Sequence, residues 1–199
     1  MAGQSNFLKR LYKWVIAWAQ TPYANSALFG VAIAESSFFP IPPDPLLITM
    51  TVAQPKKGFF YALLCTIGSV LGGILGYIIG WQFMATIGQK IINFYGLTEK
   101  YIKVQTLYQT YDIWAISIAG FTPLPYKLFT ISAGAFKISF LPFVITSFFA
   151  RGARFFLVGG ILYIYGKKIQ IFIEHYFNWL ATGFTIMLIL GYICIKAFF

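Results

Sequence analysis

Apolar residues dominate the chain in long runs, and the interruptions in those runs predict its elements. Two runs, 59–88 and 178–195, carry no charged side chain and are long enough to cross a hydrocarbon core as single helices. Two other runs, 24–53 and 113–136, are interrupted near the middle by prolines. Because proline removes a backbone donor and blocks helix continuation, neither interrupted run can form one straight spanning helix.

The proline breaks predict a specific kind of membrane segment. The candidate break residues are Pro40, Pro42, Pro43, Pro123 and Pro125. In hydrocarbon, irregular backbone persists only where protein buries it or where it lines a watery cavity. Each interrupted run is therefore expected to be a re-entrant hairpin or a discontinuous helix. With one crossing helix between them, two hairpins would enter from opposite faces and form an inverted repeat.

The whole chain, 1–199, is predicted to be a single all-α integral membrane domain with two inverted repeats. The predicted elements are an amphipathic interfacial helix at 5–20, a re-entrant segment at 24–53, a transmembrane helix at 59–84, a second re-entrant segment at 113–136, and transmembrane helices at 139–166 and 178–197. A shift of 83 residues aligns Pro40 with Pro123 and Asp44 with Lys127, which supports the repeat. Basic residues favour a cytoplasmic N-terminus.

Composition and charge narrow the class of partner. The chain is 59% hydrophobic, and its 15 Lys and Arg against 5 Asp and Glu give a formal charge of +10. In a soluble protein this balance would suggest nucleic acid, but here most cations flank apolar segments, as topology signals and headgroup contacts do. Both cysteines lie inside apolar runs, where a thiol behaves as a small hydrophobe. We expect membrane lipid as partner, no nucleic acid, and no metal or cofactor.

Five ionisable side chains fall within the apolar or interrupted segments: Glu35, Asp44, Lys127, Arg151 and Arg154. Each costs about 3 kcal/mol to insert, so such residues seldom lack a role. Arg151 and Arg154 are three residues apart, which places them on one helical face, where two guanidinium groups match a phosphate or a pair of carboxylates. Two interpretations stay open. The charges form ion pairs that join the two halves, or they bind an anionic headgroup or relay protons.

Three motifs carry a resemblance to a known family. They are the residues Glu-Ser-Ser-Phe-Phe-Pro-Ile-Pro-Pro-Asp at 35–44, Phe-Thr-Pro-Leu-Pro-Tyr-Lys at 121–127, and Arg-Gly-Ala-Arg at 151–154. Together they resemble the DedA family, also called the VTT-domain or SNARE-associated family, and most closely its YqaA-like branch. The resemblance implies a bacterial inner-membrane protein with two inverted re-entrant hairpins. It also implies movement of polyprenyl phosphate or phospholipid between leaflets.

The chain departs from the family pattern at two places. The usual Pro-Gly-Glu after the first break is Pro42-Pro43-Asp44 here, so the acidic group is retained. The arginine that usually precedes the second break is absent. Its role would fall to Lys127, Arg151 or Arg154.

The sequence therefore predicts a flippase or scramblase for a lipid with an anionic phosphate headgroup, with proton coupling and homo-oligomerisation left open. Two alternatives remain, a proton-coupled exchanger of a small ion or solute and a membrane assembly factor that transports nothing. An enzyme is not expected, because the predicted membrane segments contain no histidine, no paired cysteines and no clustered aspartates.

Overall fold

The computed structural model describes residues 21–39, 42–122 and 124–166, and over these ranges the chain is helical without strands. An all-α membrane protein was predicted, and the all-helical part of that prediction is confirmed. Four predicted features lie outside the described residues: the interfacial helix at 5–20, the helix at 178–197, Pro40 and Pro123.

The described ranges form a series of α-helices of different lengths. In the described ranges they are α1 (Ala24–Ser37), α2 (Asp44–Ala53), α3 (Gly58–Phe83), α4 (Gln89–Phe94), α5 (Thr98–Thr110), α6 (Asp112–Phe121), α7 (Tyr126–Ala135) and α8 (Phe140–Gly166). A 3₁₀ turn, Pro55–Lys57, leads into α3, and a π-helical turn, Met84–Gly88, continues it into α4.

Two of the helical stretches are long and apolar enough to cross a membrane, Pro55–Phe94 with 40 residues and Phe140–Gly166 with 27. They cover the segments predicted at 59–84 and 139–166. The 26 residues of α3 alone rise about 39 Å, which exceeds the thickness of a typical hydrocarbon core.

Each proline-interrupted run forms two short helices instead of one long helix. Pro43 caps the start of α2 and Pro45 lies in its first turn, while Pro125 directly precedes α7. Proline is tolerated there because the first amides of a helix have no partner within the helix. We call α1 and α2 the first hairpin, and α6 and α7 the second hairpin.

Glycines on α3 let both hairpins approach its backbone. A Cβ at Gly72 would overlap the carbonyl of Ile33 in α1, and a Cβ at Gly80 would overlap the carbonyl of Ile131 in α7. The first hairpin therefore packs on α3 as far as Gly76, and α7 packs on α3 from Gly73 onward. At Gly72 and Gly80 the absence of a side chain allows close helix packing.

The two long helices run antiparallel, and the breaks meet beside their middle. Tyr77 on α3 donates a 2.8 Å hydrogen bond to the carbonyl of Ile138 before α8, while Gly159, near the other end of α8, faces Gly58 at the start of α3. Gly76, next to Tyr77 and near the middle of the long helical stretch Pro55–Phe94, faces both the end of α1 and the start of α7. The tips of both hairpins thus lie at mid-length, where the candidate charges also fall.

Candidate functional site

Arg151 of α8 forms a buried ion pair with Glu35 at the end of α1. Arg151 Nη2 lies 2.8 Å from Glu35 Oε2, and the side chains are 1% and 14% exposed. Arg151 Nε donates to Ser69 Oγ of α3 at 2.5 Å. Ser36 Oγ lies 2.7 Å from Ser69 Oγ and donates to Glu35 Oε2 at 3.1 Å. The pair is therefore part of a hydrogen-bonded network that joins α1, α3 and α8.

Two aromatic rings enclose the remaining faces of the Arg151 guanidinium. Its Cζ lies 4.9 Å from the ring centre of Tyr126 and 4.7 Å from that of Phe155. Tyr126 is itself fully buried, and its hydroxyl donates to Ser147 Oγ at 2.5 Å. A cation over an aromatic face gains further stabilisation when water is excluded. Arg151 consequently has contacts on all sides and little surface left for a ligand.

Arg154, one helical turn from Arg151, pairs with a different carboxylate in a more open place. Its Nη2 lies 3.0 and 2.9 Å from the two carboxylate oxygens of Asp44, and its Nη1 donates to the carbonyl of Thr122 at 3.2 Å. The Arg154 and Asp44 side chains are 19% and 23% exposed. Asp44 lies in the first turn of α2, where the helix dipole favours an anion. Arg154 therefore bridges the first hairpin to the end of α6.

Lys127 and Thr130 of α7 bind the end of α1. Lys127 Nζ donates to the carbonyl of Phe39 at 3.2 Å, and Thr130 Oγ1 donates to the carbonyl of Ser36 at 3.2 Å. The residues four positions after Ser36 and Phe39 are both prolines, so neither carbonyl has a helical amide to accept from. Side chains of the second hairpin thus satisfy backbone groups that the first break leaves free.

All five predicted site residues lie where the two proline breaks meet α3 and α8, a region that we call the junction. Four of them form two separate ion pairs, and Lys127 contacts the carbonyl of Phe39. The sequence allowed the two arginines to face one phosphate together, but in the structure each arginine has its own carboxylate. Of the predicted break residues, Pro43 is buried, while Pro42 and Pro125 are exposed.

The sequence reasoning missed three buried residues of the network, Ser36, Ser69 and Tyr126. Ser36 directly follows Glu35, and Ser69 lies among the glycines of α3, on the face that packs against other helices. For Ser69, the available signal was a hydroxyl on the glycine-rich face of an uncharged, predicted spanning helix. Tyr126 lies in the motif at 121–127, but tyrosine is common throughout this chain, so nothing marked it as a contact of Arg151.

The described residues form an all-helical protein with two helices long and apolar enough to span a membrane, and its paired charges lie between interrupted helices. The model of the VTT domain matches residues 41–164, and the chain belongs to the VTT-domain, or DedA, family. The resemblance drawn from the three motifs is thereby confirmed.

Two relatives match nearly the full length of the chain. An uncharacterised protein of Haemophilus influenzae is 32% identical over 186 residues, which cover 94% of this chain and 96% of the relative. An uncharacterised protein of Histophilus somni is 34% identical over 189 residues, covering 94% and 97%. No solved structure matches the chain significantly.

Proposed function

We propose that the protein is a transporter that moves a phosphate-bearing lipid, a polyprenyl phosphate or a phospholipid, between the leaflets of a bacterial inner membrane. The observation that carries the proposal is the position of Arg154. Its guanidinium is partly exposed and touches the residues beside both breaks, Asp44 and Thr122. A planar guanidinium can exchange a carboxylate for a phosphate, because it binds both through paired N–H donors.

The membrane arrangement in the proposal is an inverted pair of re-entrant hairpins. The first hairpin packs on α3 as far as Gly76, α7 of the second hairpin packs on α3 from Gly73 onward, and both contact α3 at Gly76. Transporters of several folds place their binding sites where interrupted helices meet near the bilayer centre. The charge distribution favours a cytoplasmic N-terminus in this arrangement.

The proposed transport step begins with the exchange of one anion for another. A lipid phosphate displaces the Asp44 carboxylate from Arg154, while Arg151 stays with Glu35. Lys127 is half-buried beside the first break and supplies a second positive charge to the entering phosphate. The displaced Asp44 has lost its counter-ion, and proton uptake would neutralise it. Proton coupling is therefore included in the proposal.

The test is lipid redistribution in liposomes that contain the purified protein and a labelled polyprenyl phosphate or phospholipid, with and without a pH gradient. We expect Arg154→Lys, which keeps the charge but loses the paired donors, to slow redistribution about tenfold. Lys103→Gln removes an exposed cation of α5 and is the matched control with unchanged rate. Redistribution no faster than in empty liposomes would refute lipid transport. Proton-driven flux of a small solute in the same liposomes would then favour the exchanger.

A further inference from the structure

A groove between α6 and α8 opens at an exposed apolar surface and ends at Phe121 and Ala150, about one helical turn before Arg154. Its volume is about 420 Å³, within the range of sites that hold small ligands. The groove is lined by Ile113, Ser117, Phe121, Ile145, Thr146, Phe149 and Ala150. Ser117 and Thr146 are the polar members of this lining, so the groove offers mainly hydrocarbon and aromatic contacts.

The two helices that form the groove run in the same direction and converge at its inner end. Ile116 of α6 lies near Pro142, early in α8, and Gly120 lies against Ala150, where a Cβ on the glycine would come within 2.8 Å of the alanine methyl group. The next residues beyond that point are Phe121, which lines the groove, and Thr122, whose carbonyl accepts from Arg154. The apolar groove is thus continuous with the cationic end of the candidate site.

We infer that the groove holds the hydrocarbon chain of the lipid whose phosphate pairs with Arg154, and this inference rests on the proposed function. An amphiphile with one anionic headgroup matches this arrangement. The cation Arg154 lies at the inner end of the groove, and the lining of the groove is mainly apolar. Burying the chain here while the phosphate contacts Arg154 would keep the chain in hydrocarbon throughout the exchange. The groove then acts as a side opening of the transport site.

Photo-crosslinking of the full-length protein in bilayers tests the inference. The probe is hexadecyl phosphate with a diazirine in its chain, and a hexadecyl trimethylammonium with the same chain and diazirine is the headgroup control. We expect the phosphate probe, and not the ammonium probe, to label the groove residues of α6 and α8. Arg154→Lys should reduce that selective labelling.

Filling the groove gives the second measurement. Ser117→Trp should weaken binding of hexadecyl phosphate about tenfold, through loss of chain burial equivalent to a few methylene groups. Thr146→Phe is a second filling variant, in case Ser117→Trp fails to fold. Leu71→Trp adds the same ring to an exposed position on α3 and should leave binding unchanged.

The outcomes separate this inference from the proposed function. Equal labelling by both probes would mean that bulk lipid fills the groove, and disulfide trapping between two copies across it would mean a dimer contact. Either result overturns the inference. Unchanged binding in both filling variants, with lipid redistribution intact, overturns the groove but leaves the transporter. Selective labelling without any redistribution leaves the groove and overturns the transporter.

Discussion

Replacement of Glu35 by glutamine tests how much the buried ion pair stabilises the fold. The change leaves a hydrogen-bonding side chain of similar size but removes the negative charge that faces Arg151, which is 1% exposed. Removing one partner of a buried pair costs about 3–5 kcal/mol, because the other charge stays buried without compensation. The remaining donors from Arg151 go to neutral serines, so we expect a loss of about 3 kcal/mol or more in unfolding free energy.

The assay is equilibrium unfolding of the purified protein in detergent micelles, with the second ion pair as the internal control. Asp44→Asn makes the same chemical change in the pair with Arg154, whose side chains are 19% and 23% exposed. That pair is less buried, so its loss should cost less than the loss of the Arg151 pair. The double variant Glu35→Gln with Arg151→Met should recover much of the stability lost by Glu35→Gln alone, because it removes the unpaired cation.

The comparison between the two carboxylates can refute the reasoning. Equal costs for Glu35→Gln and Asp44→Asn would show that burial does not separate the two pairs. A folded Glu35→Gln protein of unchanged stability whose transport no longer responds to pH would instead make Glu35 a proton site. That result would reopen the second interpretation of the sequence, in which the carboxylates relay protons.

Three further predictions follow from the packing and the charges. Gly72→Ala should destabilise the protein in the same unfolding assay because its Cβ overlaps the Ile33 carbonyl, whereas Gly30→Ala, with open space around it, should not. Arg151→Lys should lower stability because lysine cannot match the contacts of the buried guanidinium, while Arg154→Lys should mainly slow transport; equal losses of stability would contradict the assignment. In a cysteine-free background, single cysteines in place of Ser26 and Gln54 should both be labelled from one side of the membrane. Single cysteines in place of Asp112 and Lys137 should both be labelled from the opposite side.

The long helices and the breaks could be predicted from the sequence, because a single physical cause determines each kind of element. A long apolar run must hide its backbone polar groups, and only a helix does so within one segment, so hydropathy located α3 and α8 to within a residue or two. Proline cannot continue a helix, so the positions of Pro42, Pro43 and Pro125 located the breaks. Helical spacing also placed Arg151 and Arg154 on one face.

The pairing of the charges was not accessible, because it depends on how separate helices lie against one another. Spacing along α8 is the same whether Arg151 meets Glu35 or Asp44. The choice follows from the tight packing of α1 on the glycines of α3, which brings Ser36, next to Glu35, to within 2.7 Å of Ser69. No periodic pattern in a single sequence records such a contact.

The stretch 89–111 shows a second limit of the sequence reasoning. Its polar residues carry no motif that indicates a role. In the structure, α5 binds the end of the second hairpin: Tyr101 donates to the carbonyl of Ala135, and Gln105 and Gln109 both donate to that of Phe136. The polar side chains therefore satisfy carbonyls that α7 leaves free at its C-terminus, a role that depends on tertiary contact.

The two arginines, equivalent in the sequence motif, differ in what it would cost to move them. Arg151 would have to leave a carboxylate, a serine and two aromatic rings in a buried place, and an uncompensated charge there costs about 3–5 kcal/mol. Arg154 can trade Asp44 for another anion at a partly open surface, so its charge stays balanced throughout the exchange. A transport cycle that uses this junction would therefore keep Arg151 fixed as the contact between hairpin and spanning helix, and would exchange partners at Arg154.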